Sequence, residues 1–176
     1  SFSKRSYYIY IMKKRILFFF MLFFLCTVVS ACSDENGKGV NTTTLEIAEQ
    51  FVDFKENGES QTLAITTNQE EWSATVESNG KGWCSILPDI NLGNHKLTIS
   101  VTPNTGKEQR STIITVKAAE LSKKITVRQL GTDKGILISP MMKTFTAEGG
   151  KIEFTVTANV EFEIIPTVDW ITLPVI

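Results

Sequence analysis

Between residues 60 and 131 the chain repeatedly alternates apolar and polar residues with a period of two. The stretches that carry this pattern are QTLAITT, EWSATVE, HKLTISVTP, STIITVKA and KKITVRQLG. Such alternation predicts half-buried β-strands rather than helices, and turn clusters such as ENGES and PNTGKEQ separate the strands. Only TLEIAEQF also fits a short helix, and we interpret it as an irregular first strand.

Six or seven such strands lie within residues 43–131, and each has one apolar face to bury. Two stacked sheets bury these faces, so we predict an all-β fold, an immunoglobulin-like β-sandwich of about seven strands. The predicted core residues are Leu63, Ile65, Trp72, Val76, Cys84, Ile86, Ile99, Val101, Ile114, Val116, Ile125 and Val127.

The pattern starts again after residue 131. Five pairs of residues share an offset of 91, namely Phe54/Phe145, Gly58/Gly149, Leu63/Phe154, Ile65/Val156 and Asn68/Asn159. One residue fewer in the second copy then aligns Trp72 with Phe162, and GWCSILP corresponds to DWITLP, which pairs Trp83 with Trp170. A repeat of this size predicts tandem domains joined by a linker at 132–135. Because no match to the last three strands follows, we expect residues 136–176 to be the first half of a second sandwich that continues beyond this chain.

The N-terminal segment is typical of a secretory leader. Met12 is followed by Lys13, Lys14 and Arg15, and the next 16 residues carry no charge. This apolar run is shorter than the roughly 20 residues of a membrane-spanning helix. We therefore predict a start at Met12 and a cleaved signal helix within residues 1–31. An uncleaved anchor helix is the alternative, and either arrangement exports the rest of the chain.

The small residues Ser30 and Ala31 precede Cys32, as in a bacterial lipobox. This order predicts cleavage before Cys32 and lipidation of its thiol, and two or more acyl chains make release from a membrane very slow. Residues 32–42 are polar and form a flexible tether. The predicted location is the outer membrane, with surface display, because acidic residues behind Cys32 resemble the export signal of Bacteroidetes lipoproteins.

The net charge of the exported part and its few histidines and cysteines exclude several classes of function. Residues 1–31 hold five of the 18 basic and none of the 19 acidic residues, so the exported part carries 13 basic against 19 acidic residues, a net charge of −6. This balance argues against nucleic acid as a partner. His95 is the only histidine, and Cys84 has no cysteine partner once Cys26 is removed and Cys32 is lipidated. We predict no metal site, no cofactor and no disulfide, with Cys84 as a buried, inert thiol.

The exported sequence resembles the BACON domain, the "Bacteroidetes-associated carbohydrate-binding often N-terminal" family. The residues that carry the resemblance are Trp72, Trp83, Asn104, Arg110, Val127, Gln129 and Gly131. The resemblance implies a seven- to eight-stranded sandwich, often repeated, on exported proteins that handle polysaccharides or mucin. It also implies two alternative roles, glycan binding and service as a spacer.

Sugar sites combine an aromatic face with carboxylate or amide groups, and the candidate glycan-binding residues are Trp83, Asp89, Asn91, Asn94 and His95. Trp72 shares a face with Ala74 and Val76, so we place it in the core, whereas Trp83 covers a sheet edge. We expect Arg110 and Gln129 to bind backbone groups and Asn68 and Asn159 to serve turns. No nucleophile with a histidine base and no buried carboxylate pair is recognisable, so we predict a non-catalytic protein. It either binds glycans or acts as a stalk for a downstream domain.

Overall fold

The computed structural model describes residues 5–11, 42–92 and 95–173, with side chains at 42–90 and 96–173. The predicted signal helix, Cys32 and tether residues 32–41 lie outside this part. The described residues form 13 strands, and no helix among them is long and apolar enough to cross a membrane.

Nine strands form an N-terminal sandwich of two sheets, which confirms the predicted all-β fold. The five-stranded sheet contains, in spatial order, β3 (Phe51–Phe54), β10 (Leu121–Gln129), β9 (Arg110–Ala118), β5 (Glu71–Val76) and β7 (Ile90–Leu92). The four-stranded sheet contains β2 (Leu45–Ile47), β4 (Ser60–Thr67), β8 (His95–Val101) and β6 (Cys84–Leu87).

The strand count is nine rather than about seven for two reasons. Residues 48–50 divide the predicted first strand, so that β2 joins one sheet and β3 joins the other. The short strand β7 is additional, and it pairs antiparallel with the start of β5. β3 lies parallel to β10, whereas the other pairs in the sandwich are antiparallel.

The apolar faces of the two sheets meet in one core. Eleven of the predicted core residues are buried, and Trp72 at 1% exposure and Phe54 at 0% are the largest side chains there. Ile86 differs from the prediction, because it is only partly buried and packs against the margin of the core. The reason is its position on β6, which is the last strand of its sheet and has no neighbour on the outer side.

A third sheet, the C-terminal sheet, contains β11 (Ile136–Ser139), β12 (Lys151–Ala158), β1 (Arg5–Ile11) and β13 (Ile171–Thr172), in that spatial order. β1 comes from the segment that the sequence assigns to the leader, and it pairs antiparallel with β12 and β13. Leu137, Val156 and Ala158 are buried in this region.

Asn68 and Asn159 make the same backbone contacts in the two regions. The Oδ1 of Asn68 accepts a hydrogen bond from the amide of Thr44 at 2.8 Å. Ninety-one residues later, the Oδ1 of Asn159 accepts one from the amide of Gly135 at 2.7 Å. Each asparagine directly follows a long strand, β4 or β12, and its hydrogen bond holds the first residues of its region against the end of that strand.

Candidate functional site

Trp83, the predicted sugar platform, is fixed in place by its neighbours. It ends the turn that leads into β6, is half-buried, and packs against the core. Its Nε1 donates a hydrogen bond to the carbonyl oxygen of Asn79 at 2.9 Å. The guanidinium of Arg110 lies 4.5 Å from the ring centroid. The indole N–H and one face of the ring are therefore already occupied, and a sugar ring would have to displace Arg110 to stack on that face.

Arg110 belongs to a network that satisfies backbone carbonyls at this end of the sandwich. Its Nε donates to Oε1 of Gln129 at 2.9 Å, and its Nη2 donates to the carbonyl oxygen of Thr102 at 2.8 Å. Gln129 is fully buried, and its Nε2 donates to the carbonyl oxygens of Lys55 and Thr102, both at 3.0 Å. Leaving such groups unpaired in the interior costs about 1–3 kcal/mol each, so this network stabilises the fold.

Two further residues that carry the family resemblance have structural contacts. Asn104 is buried, and its Nδ2 donates to the carbonyl oxygens of Glu108 and Leu130 at 2.9 and 3.1 Å. A Cβ on Gly131 would overlap the carbonyl oxygen of Lys107, so only glycine fits there. These residues therefore shape the turn that precedes β9.

Asp89 and Asn91 lie at the opposite end of β6 from Trp83. The Asp89 side chain is exposed, and its backbone carbonyl accepts a hydrogen bond from the amide of Ala74 at 2.7 Å. The four residues of β6 separate Trp83 from this loop by on the order of 15 Å. The structure does not bring Trp83 and Asp89 into one cluster, because an extended strand carries the chain from one end of the sandwich to the other.

Asn91 lies opposite Trp72 in the β5–β7 pairing, and His95 begins β8 opposite Ile65. Asn94 and the side chains of Asn91 and His95 lie outside the described residues. Among the side chains at 42–90 and 96–173, no group of three or more His, Cys, Asp or Glu residues is placed to hold a metal ion.

Cys84, on β6, is a buried free thiol. Burial raises its pKa to about 11, and the positive charge of Arg110 offsets only part of that effect. The neutral thiol is the form present at ordinary pH, so Cys84 behaves as a small apolar residue of the core.

An ion pair that sequence reasoning missed joins the sandwich to the C-terminal sheet. Arg128 on β10 makes two hydrogen bonds to the carboxylate of Asp53 on β3, at 2.7 and 2.8 Å. Its Nη2 also donates to the carbonyl oxygen of Ile138 at 2.8 Å, and the hydroxyl of Ser139 donates to Asp53 at 2.8 Å. Asp53 is 3% exposed. We call these four residues, Asp53, Arg128, Ile138 and Ser139, the junction clamp.

A cleft of about 640 Å³ lies beside the junction clamp. One wall is residues 47–51 of the sandwich, and the other comes from β12 and from residues 139–143. Phe51 lines the cleft, and the Arg128 guanidinium lies 4.9 Å from its ring centroid, so a cation covers one face of this ring as Arg110 covers that of Trp83. The other lining residues with hydrogen-bonding side chains are Glu49, Gln50, Asp53, Ser139, Lys143, Glu153 and Thr155. The lining therefore supplies carboxylate and amide groups of the kind expected around Trp83.

Solved structures that resemble the chain contain β-sandwich domains. A Bacteroides ovatus GH5 xyloglucanase, solved with a XXXG heptasaccharide, is 27% identical over 49% of this chain and 19% of its own, with a TM-score of 0.46. A Bacteroides thetaiotaomicron protein solved by NMR is 15% identical over 56% of this chain and 96% of its own, with a TM-score of 0.37. A PapD-like domain of human CEP192 is 11% identical over 62% and 99% of the two chains, with a TM-score of 0.40.

The match therefore spans 96% of the NMR structure, but only 19% of the xyloglucanase. Among curated proteins, no sequence matches this chain.

Residues 70–130 match the family model of the BACON domain, which is described as "Putative binding domain, N-terminal". The matched range runs from just before β5 to just beyond the end of β10 and includes Trp72, Trp83, Arg110 and Gln129. The resemblance seen in the sequence is thus confirmed for residues 70–130, which match the BACON model and lie within the N-terminal sandwich.

Proposed function

We propose that the protein is a non-catalytic lipoprotein, anchored in the outer membrane through Cys32 and displayed at the cell surface. In this proposal the N-terminal sandwich is a connecting module of a stalk. The C-terminal sheet is part of a second BACON-like domain, which the sandwich holds in a fixed orientation. The lipobox before Cys32 and the acidic tether behind it support the anchored location.

The observation that carries the proposed role is the junction clamp. Arg128 binds Asp53 within the sandwich and, with the same guanidinium, binds the backbone of Ile138 in the C-terminal sheet. The linker between β10 and β11, residues 132–135, is short and limits how far the two regions can move apart. A short linker and the hydrogen bonds from this buried ion pair to Ile138 and Ser139 restrict rotation of one region against the other, as a stalk requires.

The surroundings of Trp83 also support a structural role. Its N–H is bonded to Asn79, and Arg110 covers one face of its ring. A sugar platform needs an open aromatic face, whereas this residue is held by contacts within the sandwich.

The relative orientation of the two regions can be tested with distances between two spin labels, measured by double electron–electron resonance. Labels would be placed at the exposed positions Lys124 and Glu153, one in each region, with the native cysteines replaced. We expect a narrow distance distribution that broadens in Arg128→Ala and stays narrow in the matched control Lys123→Ala. Lys123 is the neighbouring long cation whose ion pair with Glu46 lies on the surface. A broad distribution in the unsubstituted protein would count against the stalk.

The cleft beside the clamp supports a second candidate function, glycan binding. Its carboxylate and amide side chains are of the kind that bind sugar hydroxyls. The description of the matched family as a binding domain is consistent with such a role. Glycans held there would contact both regions, so the site would depend on their fixed orientation.

A glycan array followed by calorimetry tests this second candidate. Saturable binding should be lost in the double variant Glu49→Ala, Met142→Ala, because both residues line the cleft and neither belongs to the core. Glu70→Ala, an exposed carboxylate elsewhere on the sandwich, is the matched control and should bind normally. Binding that survives the double variant would exclude the cleft as the glycan site.

A further inference from the structure

The C-terminal sheet reproduces the four-stranded sheet of the sandwich strand for strand. The order β11-β12-β1-β13 corresponds to the order β2-β4-β8-β6. β11, β12 and β13 follow β2, β4 and β6 along the chain by about the length of the repeat. β1 is the exception, because it comes from the start of the chain and occupies the place of β8.

The pairing of β1 with β12 has the register of β8 with β4. In the sandwich, Leu63 lies opposite Leu97; at the equivalent step, Phe154 lies opposite Tyr7. The equivalence holds at every paired step. The residues Arg5, Ser6, Tyr7, Tyr8, Ile9 and Tyr10 occupy the register positions of His95, Lys96, Leu97, Thr98, Ile99 and Ser100.

The other edge of β1 agrees with this assignment. β13 pairs with it through Ile171 opposite Ile11, and β6 pairs with β8 through Cys84 opposite Val101. Both neighbours therefore place β1 in the same register, although the two pairings involve different strands.

The sequence of β1 suits this place. Its positions 7, 9 and 11 hold Tyr, Ile and Ile, and the equivalent residues of β8 are Leu97, Ile99 and Val101, which are 0%, 0% and 7% exposed. Directly opposite residues of an antiparallel pair lie on one face of a sheet. The apolar positions of β1 thus match the apolar face of β12, to which Phe154 and the buried Val156 belong.

A strand in this place meets two requirements at once. It pairs the backbone groups of β12 and β13, which would otherwise form open strand edges. It also places a segment with apolar residues at alternate positions beside β12, whose Val156 and Ala158 are buried. Within the described residues, the C-terminal region has counterparts of β2, β4 and β6, and β1 alone stands where β8 would.

We propose that the slot between β12 and β13 is a strand-acceptor site, and that its ligand is Arg5–Ile11 wherever the chain retains this segment. A start at Met12 or cleavage before Cys32 removes Arg5–Ile11 and leaves the slot open to another strand with the alternation of β8. The site selects an extended antiparallel segment with apolar residues at three alternate positions. Recognition is by backbone pairing and by this alternation, so a peptide with the sequence of β8 fits the same slot.

Hydrogen exchange of the full chain in detergent tests the proposal. In Ile9→Lys, a charge replaces the residue at the position of the buried Ile99, and we expect the amides of β12 to exchange at least tenfold faster. The matched control Tyr8→Lys changes the neighbouring position, that of the half-exposed Thr98, and should leave exchange in β12 within twofold of the unsubstituted chain. Unchanged exchange in β4 and β8 reports that the sandwich stays folded in both variants.

A rescue experiment distinguishes strand binding from general loosening of the sheet. A synthetic HKLTISV peptide added to Ile9→Lys should restore slow exchange in β12, whereas HKSTSSV, which lacks two of the apolar residues, should not. Equal exchange of β12 in Ile9→Lys and in the unsubstituted chain would overturn the proposal. So would the failure of HKLTISV to slow exchange, or equal rescue by both peptides.

Discussion

Removal of the Asp53 carboxylate tests the energetic importance of the junction clamp. The Asp53 side chain is 2% exposed and that of Arg128 is 14% exposed, so the pair is largely shielded from water. Asp53→Ala would leave the guanidinium without its carboxylate and Ser139 without its acceptor. Breaking a buried pair from one side costs roughly 3–5 kcal/mol, and we expect about 3 kcal/mol because Arg128 keeps some contact with solvent.

Urea unfolding followed by tryptophan fluorescence measures this cost. With a denaturant slope of about 1.5 kcal/mol per molar, a loss of 3 kcal/mol lowers the midpoint by about 2 M. Glu46→Ala is the matched control, because its ion pair with Lys123 has side chains 73% and 41% exposed and contributes at most about 1 kcal/mol. If Asp53→Ala shifts the midpoint no more than Glu46→Ala does, the reasoning about burial is refuted. A double-mutant cycle with Arg128→Ala then isolates the pairwise part of the free energy.

Three further predictions concern single residues. The Cys84 thiol, with its pKa raised to about 11, should react with iodoacetamide at pH 8 far more slowly than free cysteine does, as measured by mass spectrometry. Because the folded-state pKa of Cys84 exceeds the ordinary 9.0, the unfolded chain loses this proton at a lower pH than the folded chain does. The free energy of unfolding should therefore fall as the pH rises from 9.0 to 11. Cys84→Ala should remove that part of the pH dependence. Gly131→Ala should destabilise the sandwich by roughly 2–3 kcal/mol, since its Cβ meets backbone carbonyl oxygens, whereas Gly82→Ala, with open space around it, should be nearly neutral in thermal unfolding. Asn159→Ala should speed amide exchange at Gly135, and Asn68→Ala should do the same at Thr44; no change at either amide would contradict their roles.

Alternation along the chain predicted the sandwich well because each strand has one face toward the core and one toward solvent. Trp72, Ile114 and Val127 could be placed in the core from this period alone, and all three are buried. The division between β2 and β3 could not be predicted in this way. β3 joins the other sheet by pairing with β10, and a preference for that distant partner leaves no mark on the local pattern.

The candidate site was less predictable, because it depends on contacts between distant residues. Nothing in the residues around Trp83 indicates that Arg110 covers its ring. The junction clamp did leave one signal: Asp53 interrupts the apolar stretch FVDF, and a carboxylate there requires a partner. The alternation in RSYYIYI was a second signal, which the assignment of this segment to a leader left unused.

The parallel pairing of β3 with β10 has a mechanical consequence. β3 lies near the start of the sandwich and β10 at its end, and the two run side by side in the same direction. A force that pulls the start of the sandwich one way and the C-terminal region the other way loads these two strands in opposite directions along their length. The load is then shared by all the bonds between them, including the bridge from Arg128 to Asp53, which lie opposite each other in this register. Such a joint resists stretching in shear, whereas an antiparallel pair pulled from the same two ends would open one bond at a time.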